Sequence, residues 1–264
     1  MAHMDGFTYG WVNPLLAYIV AVIGAALGLR CTVRALDLPP ERRRGWLFLA
    51  ACSIGCGIWT MHFIAMLGFS VTSATIVYNI PLTLASLLVA IVVVGIGVFY
   101  VGHRPPDTTT LLVGGAMTGG GVAVMHYMGM YAMELNGTVH YNLFIVVLSA
   151  AIAVFAATAA LWMTLNIRKL WASLVSSLVA GVAVTAMHYT AMQAVRVRLS
   201  GTAPTDGVPA GDFILPVAVG IVVFLTVAAI TVAMSPQEGW REERVVEPEE
   251  RIQVDLFEGK FRGR

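Results

Sequence analysis

Charged side chains are scarce in this chain of 264 residues: 12% are Asp, Glu, Lys or Arg, whereas 58% are hydrophobic. A soluble globular domain has about 25% charged residues, so this shortage excludes an ordinary water-soluble fold. The net charge of +1 provides no general attraction for nucleic acid. The three cysteines are too few for a disulfide framework.

Lysines and phosphate-binding motifs are also missing from the apolar segments. The only lysines, Lys169 and Lys260, lie outside them, which excludes the Schiff-base lysine of a retinal protein. The glycine-rich run 114–121 lacks the adjacent Lys-Ser or Lys-Thr of a phosphate loop. Since carboxylates are missing from the helix cores as well, we predict that the chain is not an enzyme.

Long apolar stretches are abundant, and each is long enough to cross a bilayer, which needs about 20 helical residues. The predicted spans are 13–30, 46–67, 80–101, 110–133, 142–165, 171–195 and 213–234. The predicted fold class is therefore all-α: a polytopic membrane protein with seven transmembrane helices. The first span lacks the basic leader of a cleaved signal peptide. Residues 1–3 are interpreted as a tag remnant before Met4, so His3 is not considered further.

The positions of the basic residues predict the orientation, and all are expected outside the cores of the predicted helices. One set of loops contains Arg30, Arg34, Arg42, Arg43, Arg44, Arg104, Arg168 and Lys169. The opposite set contains only Arg196 and Arg198. Because short loops rich in Lys and Arg stay cytoplasmic, the N-terminus (1–12) is predicted outside and the charged tail (235–264) in the cytoplasm.

One short string occurs three times, near the ends of predicted helices 2, 4 and 6. The copies are MHFIAM at 61–66, MHYMGM at 125–130 and MHYTAM at 187–192. A glycine precedes each histidine by seven residues: Gly55, Gly119 and Gly181. We interpret the pattern as three helix pairs plus a seventh helix, with glycines that let neighbouring helices approach closely. The three histidines are then expected at one depth, in the outer part of the membrane.

The odd-numbered helices are each predicted to begin with an amide or carboxylate side chain. These residues are Asn13, Asn79, Asn142 and Asp212. Such a side chain can accept hydrogen bonds from the free N–H groups of the first turn. Helix capping is therefore the leading interpretation, and a hydrogen bond to the histidines is the alternative.

The repeated string pairs imidazole with thioether, since residues four apart share a helix face. The predicted metal ligands are His62, Met66, His126, Met130, His188 and Met192. A second set, which could also simply pack, is Met61, Met125 and Met187. Thioether sulfur favours Cu(I), so copper is predicted ahead of haem iron, and ahead of zinc, which rarely uses methionine.

A hydrogen-bonded histidine cluster without a metal is the alternative interpretation of the repeat. Three copies of the string favour a site, because each unpaired buried polar group costs about 1–3 kcal/mol. Cys52 and Cys56 are interpreted as small residues of the helix interior.

The string also carries a resemblance. Over residues 10–235 the chain resembles the MHYT domain family of bacterial integral membrane sensors, with Met187-His188-Tyr189-Thr190 as the literal motif. The other copies depart from it at Phe63-Ile64 and at Met128. The resemblance implies a copper site, with the matched His and Met residues as ligands, that senses O2, CO or NO in the bacterial inner membrane. Phe63 leaves no tyrosine hydroxyl in the first copy.

We therefore predict a sensor domain at 13–234 that signals to a cytoplasmic partner or to an output domain outside this sequence. The alternatives are copper transport or handling, and a haem-binding bundle. Transport requires further ligands towards the inside, where Cys52 and Cys56 are the only candidates. The predicted partners are the lipid bilayer and a diatomic gas, without nucleic acid; the sequence does not predict an oligomeric state.

Overall fold

Seven long α-helices dominate the computed structural model, which describes residues 4–6, 8–166, 170–200 and 207–235. The helices are α1 (Val12–Leu36), α2 (Arg43–Leu67), α3 (Ile80–Gly102), α4 (Thr108–Tyr131), α5 (Leu143–Asn166), α6 (Leu170–Met192) and α7 (Ala210–Met234). Each is long and apolar enough to cross a membrane, which confirms the predicted fold class. Met1–Val232 form one compact unit; of the second unit, Ala233–Arg264, only 233–235 are described.

The predicted helix ends agree with the structure to within three residues except at α1, which continues six residues beyond position 30 to Leu36. Arg30 and Arg34 therefore lie inside α1, and the expectation that all basic residues lie outside the helix cores is wrong. The Arg34 guanidinium lies 5.0 Å from the centre of the Trp46 ring, and this cation–π contact accommodates its charge. Arg168 and Lys169 lie outside the described residues.

Helices α1 to α6 form a closed ring. Each packs against the next along the chain, and α6 packs against α1. α2 also contacts α4 and α6 across the middle of the ring, so the three even helices face one another. α2 is the most enclosed span, with 72% of its apolar window buried, whereas 17% of the α5 window and 28% of the α7 window are buried. Helices α5 and α7 therefore offer most of their surface to lipid.

The repeated glycines lie where ring neighbours approach closely. A Cβ atom on Gly55 would collide with the backbone of Ile91 in α3, and one on Gly119 with the backbone of Val154 in α5. A Cβ on Gly181 would collide with the side chain of Val22 in α1. Each even helix thus uses its glycine against an odd helix, which confirms the predicted role of the glycines in close packing.

Short strands, which the sequence analysis did not predict, cover one end of the ring. They are β1 (Met4–Asp5), β2 (Ser70–Val71), β3 (Ile76–Tyr78), β4 (Met133–Leu135), β5 (Gly137–Tyr141), β6 (Val195–Leu199) and β7 (Val208–Pro209). They pair antiparallel as β1–β2, β4–β3–β7 and β5–β6. We call this the strand end, and the opposite end, with Arg34, Arg43 and Arg104, the arginine end.

Two of the predicted helix caps are confirmed. The Asn79 side chain accepts a hydrogen bond from the backbone N–H of Leu82 (3.1 Å) at the start of α3. The Asn142 side chain accepts one from Phe144 N–H (3.1 Å) at the start of α5. These bonds satisfy N–H groups of the first turn, and they join each asparagine to its own helix rather than to a histidine.

The other two predicted caps are wrong. α1 already begins at Val12, and the Asn13 amide instead donates to the carbonyl of Ile64 in α2 (3.0 Å), which ties the two helices together. Asp212 lies within the first turn of α7, because β7 leads directly into a helix that begins at Ala210. An exposed carboxylate there interacts favourably with the helix N-terminus, without capping it.

Candidate metal centre

The even helices bring the three repeated histidines together at one point. The Nδ1 atom of His62 lies 3.1 Å from Nδ1 of His126 and 3.1 Å from Nδ1 of His188. One ring nitrogen from each histidine lies within 4.8 Å of the others, and each side chain is 1% exposed. We call these residues the three-histidine centre. It lies four to five residues before the strand-end termini of α2, α4 and α6.

Hydrogen bonding alone does not satisfy this cluster. A neutral imidazole has one N–H donor and one nitrogen with a lone pair. Nδ1 of His62 therefore forms one good hydrogen bond, either as donor or as acceptor, yet two other Nδ1 atoms lie 3.1 Å away. Moreover, Nε2 of His62 and Nε2 of His126 are buried without a hydrogen-bond partner among the described residues. The three converging Nδ1 atoms can therefore not all be paired by hydrogen bonds among themselves, whereas one Lewis acid could take the lone pair of each.

The residues fit a metal ion in that role. Metal–imidazole bonds of about 2.0 Å place the three nitrogens of a trigonal site roughly 3.5 Å apart, slightly farther than the 3.1 Å contacts here. In the part of the chain that the structure describes, this is the one group of three or more His, Cys, Asp or Glu side chains placed to hold an ion. The donor set is neutral, since none of the three is a carboxylate or thiolate.

The backbone of α4 fixes the orientation of the His62 ring. A Cβ atom on Gly129 would lie 2.6 Å from Nε2 of His62 and 3.1 Å from the ring of Phe63. Both distances are shorter than van der Waals contact, so only glycine permits this approach. The absence of a side chain at Gly129 therefore leaves room for the His62 ring, whose Nδ1 atom lies towards the other two histidines.

The methionines of the repeated string divide between two spaces. Met66 and Met192 line a pocket of about 130 Å³ together with His188. Met187 lines a separate cavity. The remaining methionines of both predicted sets, Met61, Met125 and Met130, are fully buried in the hydrophobic core. The structure thus gathers the histidines into one centre, while only Met66 and Met192 share a pocket with one of them.

The pocket with Met66 and Met192 opens at the strand end, and we call it the strand-side pocket. Its rim includes Met4, Gln193 and Arg196. Arg196 donates from its guanidinium to the backbone carbonyls of Gln193 and Val195, at 3.0 Å and 2.8 Å. The strand-side pocket thus places polar side chains in the same space as His188.

The aromatic residues after His62 and His126 do not direct a hydroxyl to the centre. Phe63 is buried, with its ring 4.5 Å from that of Trp59. The Tyr127 hydroxyl bonds to Oγ of Ser149 in α5 at 2.8 Å. Tyr141, in β5, lies outside the membrane-spanning segments. Burial raises its pKa to about 12. This tyrosine therefore stays neutral at ordinary pH.

Sequence reasoning missed the residues on the other side of the centre. Ile58, Val122 and Val184 line an apolar cavity, and each precedes one of the three histidines by four residues. The repeat of aliphatic residues at this offset was visible in the sequence. It was overlooked because an aliphatic side chain in a membrane helix carries no signal of its own.

Comparison with known proteins places the chain in a family. A family model named MHYT, described as a bacterial signalling protein N terminal repeat, matches residues 55–115, 119–177 and 181–245. The matches begin at the three packing glycines, and each contains one histidine of the centre. The chain belongs to the MHYT family. The matched repeats cover the three histidines and the chain from the middle of α2 onward, and the resemblance seen in the sequence is confirmed.

Relatives of this MHYT protein are bacterial signalling proteins. The bifunctional diguanylate cyclase/cyclic di-GMP phosphodiesterase MucR of Pseudomonas aeruginosa is 32% identical over 242 residues, or 90% of this chain and 35% of that protein. The cyclic di-GMP phosphodiesterase NbdA of the same organism is 30% identical, over 77% of this chain and 27% of its own length. The signaling protein YkoW of Bacillus subtilis is 23% identical, over 93% and 32%.

The chain spans about a third of the length of these relatives. No solved structure matches it. The family, the relatives and the seven spans together identify a multi-pass bacterial membrane protein with a sensor role in signalling.

Proposed function

We propose that this MHYT protein is a non-enzymatic membrane sensor whose three-histidine centre binds copper and responds to a diatomic gas such as O2, CO or NO. The convergence of three buried Nδ1 atoms carries the proposal, with the His62 atom 3.1 Å from both partners. When bound, copper would supply a soft Lewis-acid position that a small gas ligand can occupy.

The charge of the surroundings favours Cu(I). The three imidazoles are neutral ligands. The sequence has no Asp or Glu between Glu41 and Asp107, and none between Asp107 and Glu134. Burying an ion in a medium of low dielectric constant costs free energy that rises with the square of its charge, so a divalent ion costs roughly four times as much as a monovalent one. Without a carboxylate to offset that cost, the site suits a monovalent, soft cation.

The nearby thioethers support the same choice. Met66 and Met192 line the strand-side pocket beside His188, and thioether sulfur prefers Cu(I) to harder ions. We propose these two as the methionines that complete the site. The other methionines of the two predicted ligand sets are buried and remain candidates: Met61, Met125, Met130 and Met187.

Signalling requires that the centre be coupled to helix packing. The three histidines lie on three different helices, so any change in their spacing moves α2, α4 or α6 relative to the others. Because the glycines hold these helices against their neighbours, such a movement shifts the whole ring. A ligand shifts this equilibrium only if it binds the two arrangements with different affinity.

The relatives suggest the output. Two of them are named for synthesis or hydrolysis of cyclic di-GMP. We propose that this MHYT protein controls turnover of the same messenger, through a cytoplasmic partner or an attached output domain.

The arginines support the predicted orientation. Arg34, Arg43 and Arg104 lie at the arginine end, and loops rich in such residues stay in the cytoplasm. The three-histidine centre then lies near the outer face of the bacterial inner membrane, with the strand end outside.

Copper transport, the alternative function, is disfavoured by the residues beneath the centre. A transported ion needs ligands through the whole membrane, whereas the next turn presents Ile58, Val122 and Val184. Cys56 and Cys52 lie on α2, buried and half-buried, and α4 and α6 contain no thiol. A layer of aliphatic side chains is a barrier to a cation.

The test is copper binding. Protein purified without chelator and loaded with Cu(I) should contain about one tightly bound ion per chain by elemental analysis, as expected for one soft-ligand site. His62→Ala should lose it, since His62 contacts both other histidines. His140→Ala, an exposed histidine of β5, is the matched control and should retain the copper. Equal copper in His62→Ala and the control would contradict the proposal.

Gas sensing needs a second measurement. Adding CO or NO to the copper-loaded protein should change its infrared, absorption or EPR spectrum, and the change should be missing in His62→Ala. A spectrum that stays the same with every gas would contradict the proposed gas sensing, but it would not contradict the proposed metal binding.

A further inference from the structure

A cavity of about 70 Å³ lies inside the helix ring on the arginine side of the three-histidine centre. Side chains from all six ring helices line it. We call it the apolar cavity. Apart from threonines, its lining consists of Ala, Val, Ile, Leu and Met side chains, so it is unlike the strand-side pocket with its Gln193 and Arg196.

The register of the helices places this cavity directly beneath the histidines. Ile58, Val122 and Val184 line it, and each precedes its histidine by four residues. On an α-helix that offset is about one turn, roughly 5.4 Å along the axis, on the same face. Met187, which is adjacent to His188, also lines the cavity. The cavity and the centre are therefore consecutive layers of one bundle interior.

The chemistry of the lining excludes a polar or charged occupant. Thr32 and Thr164 donate their hydroxyls to carbonyls of their own helices, each at 2.8 Å. Thr118 is 7% exposed, and its hydroxyl has no hydrogen-bond partner in the described structure. A buried water needs about 2–4 polar partners, whereas Thr118 offers the one hydroxyl of the described lining that is not already hydrogen-bonded. A dry cavity is expected.

The size of the cavity limits what can enter it. An apolar cavity of about 150 Å³ in an engineered protein stays dry and takes up benzene or xenon. At about 70 Å³ the cavity is too small for an aromatic ring and large enough for a diatomic gas or a xenon atom. O2 is apolar and CO and NO are only weakly polar, so the lipid around α5 is a medium in which they dissolve.

We infer that the apolar cavity is a binding site for a small apolar gas molecule. The gas would pass through this cavity on its way from the membrane to the three-histidine centre. The inference rests on the proposed function for the nature of the ligand. On the opposite side of the centre, the strand-side pocket includes Gln193 and Arg196 beside the methionines, so the aliphatic side is the apolar approach. The ligand would thus come from lipid rather than from water.

Filling the cavity tests the path. Ala156 on α5 lines the cavity and is buried, whereas Ala151 on the same helix is exposed. In Cu(I)-loaded protein, CO recombination after flash photolysis should be about tenfold slower in Ala156→Leu than in Ala151→Leu, because the added methyl groups fill the cavity. Equal rates in the two variants would overturn the inference.

Xenon tests occupancy without any substitution and without any metal. Crystals of the unmodified protein under xenon pressure should show anomalous density between Ile58, Val122 and Val184, and none in Ala156→Leu. Density found only in the strand-side pocket, or nowhere in the bundle, would overturn the inference. If the copper-loaded protein gives no CO signal in any variant, the proposed function fails, and the xenon density still decides whether the cavity takes an apolar gas.

Discussion

The two sides of the three-histidine centre differ in size and in chemistry. The strand-side pocket measures about 130 Å³ and includes three thioethers, an amide and a guanidinium. The apolar cavity measures about 70 Å³ and is bounded by aliphatic side chains with three threonines and Met187. The soft and polar side chains of the first side suit the proposed copper, and the apolar lining of the second suits the proposed gas. In that proposal the metal and its ligand reach one centre from opposite sides.

The largest expected effect comes from disturbing the histidines that both sides share. Gly129→Ala places a methyl group 2.6 Å from Nε2 of His62, which displaces the ring. Cu(I) affinity, measured by competition with a chelator, should fall about a hundredfold, or ~3 kcal/mol. Gly120→Ala on the same helix is the control, since its Cβ meets nothing within 4 Å. Unchanged affinity in Gly129→Ala would show that the His62 orientation does not matter.

The next effect separates the two sides by their sulfur atoms. Met66→Leu removes a thioether from the strand-side pocket, and Met187→Leu removes one from the apolar cavity. Leucine nearly conserves the volume, so the first change should weaken Cu(I) binding about tenfold and the second less than about twofold, because only the first loses a soft ligand. The reverse order, in the same chelator competition, would place the metal on the aliphatic side.

A smaller effect reports whether the apolar cavity is dry. Thr118→Val replaces a buried hydroxyl without a partner in the described structure by a methyl group, and should stabilise the protein by about 1 kcal/mol. Thr164→Val is the control, because that hydroxyl donates to Ala160 and its loss should not stabilise. Thermal unfolding in detergent measures both. Destabilisation by Thr118→Val would indicate water in the cavity.

The smallest effect concerns the mouth of the strand-side pocket. Arg196→Gln removes a positive charge from its rim, so Cu(I) uptake at low salt should become about twofold faster and the difference should vanish at high salt. Arg198→Gln changes the next exposed arginine of β6 and serves as the control. Stopped-flow uptake kinetics that respond equally to both changes would rule out a specific effect of the rim.

Much of the fold followed from the sequence because lipid restricts the choices. A spanning helix needs a long apolar run, so all seven spans were predictable, and the repeated Gly55, Gly119 and Gly181 indicated close packing before any contact was known. The error at α1 has a physical cause. Arg34 remains helical because Trp46 accommodates its charge, and that contact joins two helices that a linear pattern treats separately.

The site was predictable only in part. Three histidines in one repeated string implied convergence, whereas the role of each methionine depends on the direction in which its side chain leaves the helix. Periodicity alone made Met130 and Met66 equivalent, yet only Met66 lines the strand-side pocket. The strands escaped prediction because segments of two or three residues, such as β2 and β3, are held by pairing with distant chain rather than by local preference.

The closed ring has a consequence for the ancestry of the fold. Each helix pair supplies one histidine and one close glycine contact, so a lone hairpin carries a third of the centre and completes it only beside two others like it. The chain therefore has the form of a trimer whose subunits were fused end to end.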